Sequence, residues 1–160
     1  MAKKVKVKKT LVEQILTKAG VDHQGIQINA LEGELPSNYD RNHIFKTLAL
    51  LGDKTGPVIG IVPITEHLSE KKLAKISGNK KVAMIPQKDL EKTTGYIHGA
   101  NNPVGIRQKH NYPIFIDETA LELEKLIVSA GEVGHSIIIA PNDLANFVKA
   151  SFVDILEEIN

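Results

Sequence analysis

The chain has 160 residues, of which 42% are apolar and 24% charged, and it contains no cysteine. This composition fits one compact domain with its own core, and it excludes disulfides, thiolate metal sites and cysteine nucleophiles. The net charge of +1 hides a segregation, because residues 71–109 carry nine Lys or Arg against two acids, whereas residues 110–160 carry two lysines against nine acids.

The first nine residues contain five lysines and lack the apolar stretch of a secretory signal. They predict a flexible basic arm over residues 1–9, followed by one folded domain over residues 10–160. The chain also has no apolar run of about eighteen residues, so we expect a cytoplasmic protein with no membrane partner. The arm and the basic segment 71–109 can neutralise phosphates of a nucleic acid, although a solvated helix surface explains the same charges equally well.

The pattern along the chain mixes helices and strands. Thr10 and Glu13 have capping-box spacing, and the apolar residues behind them predict a first helix that stops before Gly20. In chain order, the other predicted elements are strands over 44–51 and 57–62, a helix over 70–76, a strand over 81–85, a helix over 87–92, strands over 114–116, 125–129 and 136–140, and a helix from 141 to about 149. These elements predict an α+β fold around a mixed sheet.

One lysine, Lys46, stands inside the apolar run from Ile44 to Leu51. With strand alternation it shares a face with Leu48 and Leu50, so its ammonium either reaches the rim of the sheet or meets an anion in a desolvated pocket. The alternative is an edge lysine whose stem packs on its neighbours while its head reaches water. The six histidines show no close pair with metal-ligand spacing, so the sequence predicts no metal.

Two glycine-rich segments remain. Residues 93–105 are predicted to form a long loop, in which Gly99 lets the backbone approach a ligand closely. Successive amides from Gly99 to Asn102 can then form a concave set of donors for an anion or a developing oxyanion, although most such loops are only connections. Residues 128–135 are predicted to form a tight hairpin.

Three separated segments together resemble the YbaK family of bacterial aminoacyl-tRNA deacylases, which are related to the editing domain inserted in prolyl-tRNA synthetase. The segments follow the family's order and span most of the chain: they are residues 45–48, 94–105 and 128–144. The resemblance implies a single domain with a central, largely antiparallel, barrel-like sheet flanked by helices. It further implies trans editing, which is the removal of a wrongly attached amino acid, typically cysteine, from the tRNA for proline or a related tRNA.

The resemblance also implies partners and roles. The 3′ end of an aminoacyl-tRNA is the expected partner, an aminoacyl-tRNA synthetase such as prolyl-tRNA synthetase is a further one, and no cofactor is expected. Lys46 is the expected cation that orients the substrate ester or its phosphate, and the Gly99 and Ala100 amides are the expected oxyanion donors. In cysteine-specific members the thiol of the substrate attacks the ester carbonyl. The predicted substrate-binding residues are Phe45, Thr47, Asn101, Asn102, Ser129 and Gly131.

One departure leaves the substrate open. Where many family members have Gly-Gly-x-Ser-Pro, this chain has Gly99-Ala100-Asn101-Asn102-Pro103, and such changes in a pocket can redirect specificity toward another amino acid. Two other functions also stay open. One is a hydrolase of small esters or amides that uses Ser129 as nucleophile and Lys46 as base, and the other is a non-catalytic module that holds charged tRNA or a phosphate ligand on the basic segment.

Overall fold

A computed structural model of the chain describes residues 9–27, 35, 36 and 38–158. Five α-helices occur in this part of the chain, together with two short 3-10 helices over Arg41–His43 and Glu118–Glu122. The α-helices are α1 (Leu11–Lys18), α2 (Glu70–Ser77), α3 (Gln87–Thr94), α4 (Pro103–Lys109) and α5 (Pro141–Val148). No described helix is long and apolar enough to cross a membrane.

Side-chain caps define where the first two helices begin. The Thr10 hydroxyl accepts from the Glu13 N–H, and the Glu13 carboxylate accepts from the Thr10 N–H at 2.8 Å, which is the predicted capping box. The Ser69 hydroxyl accepts from the Lys72 N–H at the start of α2. Gly78 ends this helix with a φ of 82°, a left-handed conformation in which glycine meets no steric penalty.

Eight described strands form two sheets. The strands are β1 (Gln24–Gln27), β2 (Phe45–Gly52), β3 (Gly56–Pro63), β4 (Val82–Met84), β5 (Ile114–Asp117), β6 (Leu126–Glu132), β7 (His135–Ile139) and β8 (Ser151–Val153). One sheet has the antiparallel order β1-β7-β6, and the other has the order β4-β2-β3-β5-β8. In the larger sheet β2 pairs antiparallel with β3 and β4, whereas β5 lies parallel to both β3 and β8.

The main core lies where the two sheets meet. It combines the inward faces of β2, β3 and β5 with those of β6 and β7, and α1, α4 and α5 close it. A second apolar cluster on the other face of the large sheet packs under Leu73 and Ala74 of α2. A bridge between Ile44 and Ile127 joins the two sheets beside a third, smaller cluster. The start of β2 is therefore held on both sides by buried apolar contacts.

Most of the sequence predictions agree with this architecture. The α+β class and the mixed, largely antiparallel strand pairing are confirmed, and the predicted elements start and end within a few residues of the observed ones. The strands divide into two sheets, so a closed barrel is not shown, and β1, α4 and β8 were not predicted. The predicted basic arm lies outside the described residues except for Lys9, whose carbonyl accepts from the Gln14 side chain.

Candidate functional site

A cavity of about 660 Å³ opens beside the first half of β2. This volume is in the range of small-molecule sites. Four stretches of the chain form most of its wall: residues 44–49 around β2, residues 84–90 from β4 into α3, residues 98–101, and residues 128–136 of the β6–β7 hairpin. The three segments that carried the family resemblance therefore meet at one cavity, although they are far apart in the sequence.

The cavity follows a strand edge that no other strand covers. β2 pairs with β3 over its whole length, but β4 reaches only Leu50 to Gly52 on the opposite edge. Nearer the cavity, two N–H groups from outside the sheet donate to carbonyl oxygens on this edge of β2. The Ile85 N–H donates to Ala49 O at 3.1 Å, and the Asn101 side-chain amide donates to Thr47 O at 3.2 Å. These bonds fix residues 85 and 101 against β2.

Lys46 lines this cavity and is half-buried. Among the described residues its ammonium has no ion-pair partner. The cavity wall also carries Arg41, His98 and His135, and the described residues that line it include no Asp or Glu. A cationic, carboxylate-free wall attracts an anionic ligand such as a phosphodiester. Within the described part of the chain, no group of three His, Asp or Glu residues is arranged to hold a metal ion.

Gly99 lies at the mouth of the cavity and is exposed. Its φ of 89° places it in the left-handed region, which a side chain would strain. The next residue, Ala100, is buried and does not line the cavity, and its N–H already donates to Ile97 O at 3.0 Å. The Gly99 N–H has no acceptor among the described residues. Of the two predicted oxyanion donors, the structure leaves only the Gly99 amide unpaired.

Asn102 is fully buried and lies outside the cavity wall. Its side-chain oxygen accepts from the Gly105 N–H at 2.6 Å, and its side-chain amide donates to Ala100 O at 3.0 Å. These bonds make Asn102 the N-cap of α4, with Pro103 as the first helical residue. The prediction of a loop through residue 105 was wrong, because the chain enters a helix at Pro103.

Thr47 and Asn101 both line the cavity and are each more than nine-tenths buried. The Asn101 side-chain amide has its partner in Thr47 O, but Asn101 Oδ1 and Thr47 Oγ1 have no hydrogen-bond partner within the described chain. Buried polar atoms are almost always paired in folded proteins, so two orphans at one cavity wall are unusual. They are the two polar atoms of this site for which the described residues supply no partner.

Of the other predicted binding residues, two line the cavity and one does not. Phe45 and Ser129 line the cavity, and the Ser129 hydroxyl accepts from the Gly131 N–H at 3.2 Å. Gly131 does not line the cavity: it has a φ of 91° and packs so tightly that an added Cβ would lie 3.1 Å from a methyl of Val12. Gly131 therefore lies in the bulge of β6 and lets α1 approach this strand closely.

Three ionisable residues of the cavity wall, Arg41, His98 and His135, are absent from the predicted site residues. Arg41 begins a 3-10 helix that Asp40 caps, and His135 begins β7 after the hairpin turn. No sequence motif links Arg41 and His135, because their segments come together only when the β6–β7 hairpin packs against β2. His98 could have been found, since it is adjacent to Gly99.

Comparison with known proteins identifies the same family as the three sequence segments. Residues 35–147 match the family model of the aminoacyl-tRNA editing domain. An Enterococcus faecalis protein named "Putative Cys-tRNA(Pro)/Cys-tRNA(Cys) deacylase EbsC" is 44% identical over 116 residues, which are 72% of this chain and 70% of that protein.

Two solved structures share the fold. One is a scaffold protein from epitope backbone grafting by computational design, with a TM-score of 0.79, 22% identity, and coverage of 92% of this chain and 96% of its own. The other is described as a "putative trans-editing enzyme for prolyl tRNA synthetase", with a TM-score of 0.70, 19% identity, and coverage of 85% and 87%. At these identities the structures establish the fold alone.

Proposed function

Because the chain belongs to the family of aminoacyl-tRNA editing domains, we propose that it hydrolyses the ester bond of a mischarged tRNA. The substrate proposed first is cysteine on tRNA(Pro) or a related tRNA. The name of the Enterococcus faecalis relative supports this choice of substrate, since that protein is 44% identical. A cytoplasmic location and the 3′ end of an aminoacyl-tRNA as partner are parts of the same proposal.

The observation that carries the proposal is the cavity where Lys46, Gly99 and Ser129 meet. In the part of the chain that the structure describes, its wall has two cations, Lys46 and Arg41, and no carboxylate, which suits the phosphodiester that precedes the terminal adenosine of a tRNA. Its volume of about 660 Å³ exceeds what a small ester alone needs, and so leaves room for the adenosine as well.

The chemistry demands little of the protein. The ester bond of an aminoacyl-tRNA is activated. A protein that holds this bond beside a cation and an amide donor therefore accelerates its cleavage. In this account the Lys46 ammonium orients the ester or the neighbouring phosphate, and the Gly99 N–H donates to the carbonyl oxygen as negative charge develops on it. Neither group has to remove a proton.

The nucleophile can come from the substrate. The thiol of an esterified cysteine attacks its own carbonyl carbon, a carbon–sulfur bond forms as the carbon–oxygen bond to the ribose breaks, and the ribose oxygen takes the thiol proton. Water then opens the resulting cyclic thioester and gives free cysteine. This route suits a protein with no cysteine of its own. It also suits the position of Ser129, whose hydroxyl accepts from the Gly131 N–H and has no hydrogen bond to Lys46 or a histidine among the described residues. We therefore place Ser129 in the wall and do not assign it as nucleophile.

Release of labelled amino acid from a panel of mischarged tRNAs tests the proposal. We expect cysteine release from Cys-tRNA(Pro) to exceed release of a correctly attached proline from the same tRNA, since the correct product must survive. Flat release across the panel, or none above the spontaneous rate, would contradict editing. If charged tRNA binds tightly but no amino acid is released, the chain is a non-catalytic binding module.

Prolyl-tRNA synthetase is the synthetase whose errors this activity would correct, and we propose it as a further partner. Co-migration of the two proteins in gel filtration, with and without tRNA(Pro), tests this. Separate elution under both conditions would contradict a stable complex and leave the deacylase proposal intact.

A further inference from the structure

The two unpaired oxygens in the cavity wall indicate what the site holds. We propose that Thr47 Oγ1 and Asn101 Oδ1 receive the free α-amino group of the esterified amino acid, so that the protein distinguishes aminoacyl-tRNA from tRNA whose amino acid is N-acylated. This inference rests on the proposed function and names a group of the substrate that the editing activity alone does not specify.

The first step is that the two oxygens are left for a ligand. Thr47 is 9% and Asn101 is 8% exposed, and neither oxygen has a partner in the described chain, including each other. A buried polar group without a hydrogen bond destabilises the fold. Both residues line the cavity, so a ligand group that enters there is the partner that we assign to the two oxygens.

The second step fixes the chemistry of that group. The Asn101 amide cannot be turned to offer its N–H groups to the ligand without losing the 3.2 Å bond to Thr47 O, so Asn101 presents an acceptor. Thr47 Oγ1 can accept as well. Two neutral acceptors call for a ligand group with at least two donors, and the α-amino group is the part of the esterified cysteine that has them in either protonation state.

The third step concerns charge. An α-ammonium group placed beside Lys46 would be repelled, but alternation along β2 directs the Thr47 and Lys46 side chains to opposite faces of the strand. The amino group can therefore meet Thr47 and Asn101 while Lys46 stays with the ester or phosphate. Among the described residues that line the cavity, none is a carboxylate that would compete for the ammonium.

Binding of a matched pair of stable analogues tests the inference. The pair is 3′-cysteinylamido-3′-deoxyadenosine and its N-acetyl derivative, in which an amide replaces the labile ester. We expect the wild-type chain to bind the free-amine analogue about 10-fold more tightly in calorimetry, because acetylation leaves the two oxygens unpaired. Thr47→Val and Asn101→Leu should each reduce this preference to about 2-fold, whereas Thr47→Ser, which keeps the hydroxyl, should retain it.

Thr17→Val and Asn146→Leu are matched controls, because both residues are exposed and lie outside this cavity. They should leave the preference unchanged, and thermal unfolding of every variant shows whether it is folded. Equal affinity of the wild type for the two analogues would overturn the inference, and so would an undiminished preference in folded Thr47→Val and Asn101→Leu. The measurement needs no turnover, so failure to release amino acid would contradict the proposed function without deciding this question.

Discussion

At the scale of the residue, the account depends on a cation whose position an ordinary strand does not explain. Lys46 interrupts an apolar strand, yet it is half-buried and lines the cavity together with Gly99 and Asn101. A surface lysine with a packed stem was the alternative, and the position of Lys46 in a wall whose described residues include no Asp or Glu favours a role toward an anionic substrate. A variant of Lys46 tests the proposal that its ammonium orients the substrate.

Lys46→Ala should lower kcat/KM for cysteine release by about 100-fold, which corresponds to losing one well-placed electrostatic contact to the transition state. Single-turnover deacylation of Cys-tRNA(Pro) measures the effect. Lys18→Ala removes an exposed lysine at the end of α1 and serves as the control. If the Lys46 variant were as fast as this control, the lysine would have no part in the reaction.

Gly99→Ala should lower stability by about 1–2 kcal/mol, because its φ of 89° places an L side chain in the left-handed region. The added methyl itself fits, since its nearest neighbour is a Val133 methyl at 3.5 Å. Gly78→Ala is the matched control, with a φ of 82° and open space around the new Cβ. Both variants should lose similar stability in urea unfolding, but only Gly99→Ala should also lose activity; an equal loss of activity in both would argue against a role for the Gly99 amide.

At the scale of the element, α4 holds the glycine loop in place. Asn102 joins the loop and the helix, because its buried side chain bonds to Ala100 O and to the Gly105 N–H. The helix is only seven residues long, so its own hydrogen bonds contribute little without this cap and the packing of Val104 and Ile106 in the core.

Asn102→Ala should therefore destabilise the protein by about 2 kcal/mol, since it removes a cap and leaves buried backbone groups unpaired. Asn102→Ser keeps an acceptor for the Gly105 N–H and should lose less. Ser69→Ala, at the more exposed cap of α2, gives the reference value of about 1 kcal/mol. Denaturant unfolding compares the three, and a loss at Asn102 no larger than that at Ser69 would contradict the role assigned here.

A second inter-element contact predicts a dependence on pH. Lys72 of α2 bonds to Asp154 at 3.0 Å, and this contact holds the pKa of Asp154 below its usual 3.8. The pair should then stabilise the fold above pH 3.8 and lose its effect as the pH falls through the lowered pKa. Asp154→Asn should thus be less stable than the wild type at neutral pH and equal to it in strong acid; a gap in urea midpoint that persists in acid would contradict this reading.

Local signals predicted much of the fold, and the failures have physical causes. The capping box at Thr10 and the glycine stop at residue 78 act within one helical turn, so they can be read from the sequence. The strand β8 has three residues and is held by its parallel partner β5, and no local pattern shows that pairing. The loop predicted over residues 93–105 ends early, because Asn102 and Pro103 start a helix here.

Only part of the candidate site could be predicted, because local sequence signals indicate some of its residues and not others. Lys46 and Gly99 have unusual local contexts and were found, whereas Arg41 and His135 enter the cavity wall only through contacts distant in sequence. The unpaired state of Thr47 Oγ1 and Asn101 Oδ1 also depends on the full packing around them. A sequence shows which groups are present but not which of them lack a partner.

At the scale of the whole molecule, charge is divided along the chain. The basic segment 71–109 includes α3, which contributes Gln87 and Leu90 to the cavity wall, and Lys88 of this helix is exposed. The acidic segment 110–160 would repel tRNA from the surface that it covers. We therefore expect tRNA to approach the cavity over α3.

Binding of tRNA should weaken with salt, by roughly 50-fold between 50 and 200 mM for about three phosphate contacts. Lys88→Glu should weaken binding and flatten this salt dependence. Lys149→Glu changes the net charge equally in the acidic segment and should have little effect, since Lys149 is exposed at the end of α5. Filter binding at several salt concentrations compares them, and equal effects of the two variants would show that net charge alone determines affinity.

The central claim is that the cavity beside β2 is where the ester bond is broken. A crystal structure of the chain with 3′-cysteinylamido-3′-deoxyadenosine tests it most directly. The account predicts that the cysteinyl carbonyl oxygen lies within hydrogen-bond distance of the Gly99 N–H, with the Lys46 ammonium beside the ester position or the phosphate side of the adenosine. A cysteinyl group bound outside this cavity, or one whose carbonyl faces away from both groups, would contradict it.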